Sequence, residues 1–220
     1  MAVITISREF GSVGDDIGAS IAQTLGYHFV DKEFIGALLS EYGLLNFEKE
    51  FEAPLGFWDA FKVQQGKRRD AMVDMLNRVV SGLACHGNVV IQGRSGFAIL
   101  ASFADVLHVR LQAPVAVREQ HVMIQQALSA EQAAAIVRDG DKARKSFVED
   151  FYGVPWGGIE AFDLVINTDK ISPGMAEAWV IDAAKALRPA RGKPTTSSIE
   201  VDPVLAKAIT EDLRCQTVHR

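Results

Sequence analysis

The turn Gly11-Ser12-Val13-Gly14 separates a β-branched run, Ala2–Ile6, from an apolar-faced segment that opens at Asp15. Glycines let successive backbone N–H groups converge, and the start of a helix adds partial positive charge, so such a turn can hold an anion. A plain tight turn between strand and helix is the other reading, and glycine spacing alone leaves both open. Loops of this kind usually place a lysine after the last glycine, but here Asp15 and Asp16 follow. A carboxylate about 4 Å from a phosphate oxygen repels it by about 4 kcal/mol at an effective dielectric of about 20. The carboxylates therefore cannot take the lysine's place. They can point away and stabilise the helix start, one can hold a divalent cation, or tight anion binding has been lost. The first is preferred, with Arg8, in the same turn, supplying the missing positive charge.

Other residues with chemistry follow further strands. Asp31 ends "GYHFVD" and can accept hydrogen bonds from a sugar or a base; as an N-cap it would open the next helix equally well. Arg94 follows Gly93 and offers a planar, bidentate donor to a phosphate or a carbonyl edge. Arg138, Lys142, Arg144 and Lys145 cluster on one predicted helix among Asp139, Asp141, Glu149 and Asp150. Spacing alone reads them as a solvated face, as it does Lys67-Arg68-Arg69. Phe147, Phe151, Tyr152 and Trp156 form an aromatic group, with core packing favoured over base stacking. His28, His86 and Cys85 read as structural.

These residues need elements to position them. The helix Asp15–Leu25 carries Ile17, Ile21 and Leu25 on one face and stops at Gly26. Strands are expected at Ala2–Ile6, Tyr27–Val30, Asn88–Gln92, Val106–Leu111 and Phe162–Thr168. Helices are expected at Lys32–Ser40, Trp58–Cys85, from Pro114, at Ala130–Tyr152 behind the capping box Ser129-Ala-Glu-Gln132, and at Pro173–Leu187. Residues 46–56 are acidic and aromatic and carry no clear period. Alternating strands and helices imply right-handed crossovers and a parallel sheet covered on both faces. Ligands in such sheets bind beyond the carboxyl ends of the strands. A linker is expected at 188–200 and a helical tail outside the core at 201–220, open to a protein partner or to self-association.

The chain has 220 residues, 48% of them hydrophobic, enough for one core of ordinary size. A net charge of −5 excludes an overall basic field for nucleic acid or anionic membrane. The two cysteines make no disulfide framework or metal cluster, which fits a reducing cytoplasm. No apolar run approaches a membrane span, and the N-terminus enters a strand without a signal-like segment.

In combination, "ITISREFGSVGDDIG", "LGYHFVDKEFI", "NVVIQGRSGFAIL", "VLHVRLQAPVAVR", "DKARKSFVEDFYGVPWG" and "FDLVINTDKI" resemble the cytidylate kinase-like family, a divergent branch of the P-loop nucleoside monophosphate kinases. They run in family order from about Ala2 to Leu187. The resemblance implies a three-layer α/β/α fold with a five-stranded parallel sheet and a helical lid, over residues 1–187. It implies ATP and Mg2+ at Phe10, Gly11, Ser12, Val13, Gly14, Asp15 and Asp16, and an acceptor at Asp31 and Arg94. It makes Arg144 a lid arginine that reaches the transferring group, with Arg138 a second and Arg8 beside them. Relatives tend to carry Arg where Asp15 stands, and cytidylate kinases proper carry Asp where Ser95 stands. The expected activity is phosphoryl transfer to a nucleoside monophosphate or a similar small acceptor. A nucleotide sensor that turns nothing over is the alternative.

Overall fold

The computed structural model describes residues 2–41 and 65–218; the side chains of Asp15, Glu41, residues 65–69 and residues 216–218 lie outside that description. The expectations for residues 46–56, for the start of the long helix at Trp58, for the side chains of Lys67-Arg68-Arg69 and for the carboxylate of Asp15 therefore fall outside the described residues.

In chain order the elements are β1 (Val3–Arg8), α1 (Gly14–Leu25), β2 (His28–Val30), α2 (Lys32–Glu41), α3 (Gln65–His86), β3 (Val89–Gln92) and α4 (Gly96–Ile99). Then come β4 (Val106–Gln112), α5 (Val115–Gln126), α6 (Ala130–Tyr152), β5 (Leu164–Asn167), α7 (Pro173–Ala186), a 3-10 turn at Thr196–Ser198 and α8 (Pro203–Val218). The strands form one parallel sheet in the order β2-β3-β1-β4-β5. This is the three-layer α/β/α arrangement expected from the sequence.

The alternation of β1 decides the two layers. Ile4 and Ile6 join Ile17, Ile21 and Ala22 of α1 and Val180 of α7 on one face of the sheet. Val3 joins Leu76, Val79 and Leu83 of α3 on the other. Residues one apart on a strand point to opposite faces, so a single apolar run supplies both cores. The helix α1 ends at Gly26 in the left-handed conformation, and α6 begins with the full capping box at Ser129 and Gln132. Pro114 stands one position before its helix, as the N-cap of α5, rather than as the first helical residue.

The tail requires a correction. Leu205, Ile209 and Leu213 of α8 belong to the same buried cluster as Leu76 and Val79. The helix lies so close to α3 that a Cβ on Gly82 would stand 2.7 Å from Ile209 Cδ1. The segment before it is tied down as well: Asp105 accepts from the Thr196 N–H at 2.8 Å and from the Thr196 hydroxyl at 2.7 Å, and Ala104 N donates to Pro194 O. The apolar side expected to face a partner is buried inside the chain.

Candidate functional site

The first turn begins where β1 ends, and its carbonyls are held outward. Arg118, on α5, donates from Nη1 to Phe10 O at 3.1 Å. His121 Nδ1, one turn further along α5, donates to Gly11 O at 3.0 Å. Thr168 Oγ1, just past β5, donates to Ser12 O at 3.0 Å. In a planar trans peptide the carbonyl and the following N–H point in opposite directions. Anchoring the Phe10 and Ser12 carbonyls to α5 and Thr168 therefore turns the N–H groups of Gly11 and Val13 away from those partners. Gly11 is required twice over: its φ is +81°, and a Cβ there would lie 2.7 Å from Arg118 O. Val13 takes φ 52° at the start of α1, a left-handed conformation that a β-branched residue adopts only under constraint.

An alternating charge network fixes the base of the turn. Glu9 pairs with Arg110 at 3.5 Å and with Arg118 at 3.4 Å, and its Oε2 accepts from Ala113 N at 3.1 Å. Arg118 pairs with Asp141 of α6 at 2.7 Å. Asp141 also accepts from Phe10 N at 3.1 Å. Arg118 is 4% exposed and Arg110 3% exposed. Burial lowers the pKa of Arg110 and the Glu9 carboxylate opposes that shift. Buried charges persist only when paired in this way.

The same network docks α6 on the turn. Arg144 places its guanidinium carbon 5.1 Å from the centre of the Phe10 ring and donates to Gly140 O at 3.0 Å. Gly140 faces that ring so closely that a Cβ would stand 3.0 Å from it. Arg144 and Phe10, expected to belong to one site, are therefore brought together. Arg138 is not: its side chain is 71% exposed and pairs with Asp139.

The other candidates fall as follows. Arg8 packs its Cβ and Cγ against Gly14, and its Nη1 reaches Gly93, so its side chain spans the first turn and the turn after β3. Ser12 is buried and donates to Glu9 O at 2.9 Å. Gly14 is buried at the start of α1, and Asp16 is exposed. Arg94 is buried, and Gly93, Arg94 and Ser95 have φ of 76°, 48° and 56°. Three consecutive left-handed residues, two of them not glycine, mark a constrained turn. Asp31 caps α2 by accepting from Phe34 N at 2.9 Å. Burial raises its pKa against the opposing pull of that bond. The aromatic group divides: Phe147 packs on Phe151 and Tyr152, the Tyr152 hydroxyl donates to Asn77, and Trp156 stacks on Arg110.

Arg110, Arg118 and His121 were not singled out from the sequence; Glu9 and Thr168 lie just past strands, where ligands are expected, and Asp141 was read as part of a solvated helix face. One signal was present: Arg110 interrupts the otherwise buried strand "VLHVRLQ", where a charge needs a reason. Among the described residues no cluster of three metal-ligating side chains occurs, and no helix is long and apolar enough to cross a membrane.

The model of the Cytidylate kinase-like family matches residues 3–170. A cytidylate kinase of Ignicoccus hospitalis is 28% identical over 174 residues, covering 79% of this chain and 93% of its own. A cytidylate kinase of Natronomonas pharaonis is 24% identical over 188 residues, covering 85% and 91%. An uncharacterised protein of Eubacterium ventriosum of solved structure superposes with a TM-score of 0.64 at 16% identity, over 84% of this chain and 99% of its own.

Proposed function

Because the chain belongs to the cytidylate kinase-like family, we propose that it transfers the terminal phosphoryl group of ATP, with Mg2+, to a nucleoside monophosphate or a similar small acceptor. Family membership supports a phosphotransferase of the nucleotide-kinase kind; the acceptor and the residue roles are this reading's own. The observation that carries it is the first turn, whose carbonyls are bonded outward by Arg118, His121 and Thr168 at the mouth of α1.

That turn fits a chain of phosphates, since its free curvature and the helix start both favour anionic oxygen. Phe10 to Asp16 would hold them, and ATP supplies the phosphoryl group to be moved. Mg2+ bound mainly through substrate phosphates and water needs at most one or two protein oxygens, and Asp16 is exposed at the helix start. Transfer of this type rests on alignment and on neutralising charge. Arg8, lying along the turn, takes over the charge of the missing lysine. Arg144 approaches from α6 and stabilises charge that develops during transfer. Arg94 and Asp31, at the carboxyl ends of neighbouring strands, line the acceptor side. Arg138 enters only as a further cation of the same helix.

A second reading, nucleotide binding without turnover, draws on the acidic helix start and on the Asp141 carboxylate already seated on Phe10 N. A screen of monophosphates for ATP consumption separates the two. The kinase reading expects turnover with at least one acceptor, lost in Arg8→Ala through weakened ATP binding and in Arg144→Ala through kcat more than KM. Bound nucleotide with no consumption across the screen would leave the sensor.

A further inference from the structure

Ser7 of β1 and Arg110 of β4 are register partners in adjacent strands, so their side chains leave the sheet side by side on one face. It is the face of Val3 and Val106, which pack towards α3, opposite to α1. Arg110 is fixed in place by Glu9 at 3.5 Å on Nη2, by Trp156 at 4.6 Å from its guanidinium carbon and by Phe162 at 5.6 Å. Phe162 is in turn held against Phe97, with ring centres 4.7 Å apart. This leaves Arg110 Nη1 buried without a hydrogen-bond partner among the described residues, and Ser7 Oγ likewise. Both residues are 3% exposed.

Adjacent buried donors with no acceptor are rare in folded proteins and call for a group that enters between them. A guanidinium and a hydroxyl together suit an anionic oxygen. The place is right for a ligand, at the carboxyl end of the sheet. Glu9 lies two residues beyond Ser7, and Gly93 N donates to Ile6 O at 2.9 Å, which sets the buried Arg94 turn alongside.

We propose that Ser7 Oγ and Arg110 Nη1 form a subsite for an oxyanion, a phosphate or a carboxylate carried by the phosphoryl acceptor, with Trp156 as its wall. The acceptor is then already an anion before it is phosphorylated, and neutral nucleosides and sugars are poor substrates. This rests on the phosphotransfer reading above.

The test titrates the full chain with CMP, UMP, AMP and GMP, with the four nucleosides, with inorganic phosphate and with glycerate. Calorimetry and tryptophan fluorescence report binding. At least one anion should bind and quench fluorescence, and the quench should disappear in Trp156→Phe. The matching nucleoside should bind at least about 10-fold more weakly. Ser7→Ala and Arg110→Met should each weaken the anion by about 10- to 100-fold, the span of a hydrogen bond to a charged group, with ATP affinity within about 3-fold of the parent in Ser7→Ala, which leaves the Glu9 network at the base of the turn intact. Whether phosphate or glycerate competes identifies the oxyanion. If Arg110→Met does not fold, Ser7→Ala decides alone. Parent affinity for the anion in Ser7→Ala and in folded Arg110→Met, equal binding of nucleotide and nucleoside, or no anion binding at all would overturn the subsite. The outcomes also separate it from the activity. Ser7- and Arg110-dependent binding without ATP turnover keeps the subsite and removes the kinase; turnover at unchanged acceptor KM in both variants keeps the kinase and removes the subsite.

Discussion

Replacing Asp141 by alanine removes two polar links between α6 and the first turn in one step, leaving the contacts of Arg144 and Gly140 with the Phe10 ring. The carboxylate accepts from Arg118 Nη1 at 2.7 Å and from Phe10 N at 3.1 Å. A buried charge stripped of its only partner would cost about 3–5 kcal/mol. That limit does not apply, because Arg118 keeps Ala113 O at 2.9 Å, Phe10 O at 3.1 Å and Glu9 at 3.4 Å. The Asp141 side chain is also 26% exposed, so solvent screens part of the attraction. A charge-assisted hydrogen bond of about 1.5–2 kcal/mol plus a backbone bond of about 1 kcal/mol gives a loss of about 2–3 kcal/mol. For a chain of this size each kcal/mol lowers Tm by about 2–4 °C, so Asp141→Ala should melt about 5–10 °C lower. Asp141→Asn keeps the shape and one acceptor and should lose about half as much. Urea unfolding measures the stability, and hydrogen exchange of the Phe10 amide measures the local link. A Tm within about 2 °C of the parent, or unchanged protection at Phe10, would refute the claim that Asp141 fastens α6 to the turn.

Other outcomes follow from the same geometry. Val13→Gly relieves a left-handed β-branched residue, worth about 1–2 kcal/mol, against about 0.5–1 kcal/mol of added chain entropy; a modest gain in Tm is expected, and a loss above about 1 kcal/mol in urea unfolding would contradict it. Ile209→Ala, at a side chain 1% exposed, should cost about 2–4 kcal/mol, and a neutral effect in the same assay would return α8 to the status of a detached tail. Burial lowers the pKa of His108 below its ordinary 6.5, with Asp163 opposing. The unfolded chain then binds more protons below that value, so stability is full above it and is lost as pH falls through the folded pKa. His108→Gln should flatten this slope between the parent's curves at neutral and mildly acidic pH; parallel curves for the two proteins would refute it.

What the sequence made legible was local. The run of β1, the glycine turn and the helix that follows are set by neighbours in the chain, and so is the capping box at Ser129. Arg94 and Asp31 stand out because each follows a strand, and of the two readings of Asp31 the helix cap is the one its bond from Phe34 N fits. Arg144 was placed by its motif, and its seat over Phe10 joins residues far apart in sequence. The network that holds the turn was not legible for the same reason: Arg118 meets Phe10 across 108 positions, and Thr168 meets Ser12 across 156. Nothing in spacing couples such residues. The tail was misjudged because Pro, Gly, Ser and Thr between 188 and 200 read as a free linker. Asp105, which bonds Thr196 across 91 positions, makes that stretch an anchored strap and carries α8 onto α3.

The central claim is that this chain moves a phosphoryl group from ATP to an anionic acceptor. Phosphorus NMR of ATP, Mg2+ and the protein, with nucleoside monophosphates and small phosphorylated or carboxylated acceptors offered in turn, follows donor and product together. The account predicts ADP and a newly phosphorylated acceptor growing in equal amounts, and both suppressed in Arg144→Ala. ATP left intact with every anionic acceptor, or ADP appearing only with inorganic phosphate, would contradict it.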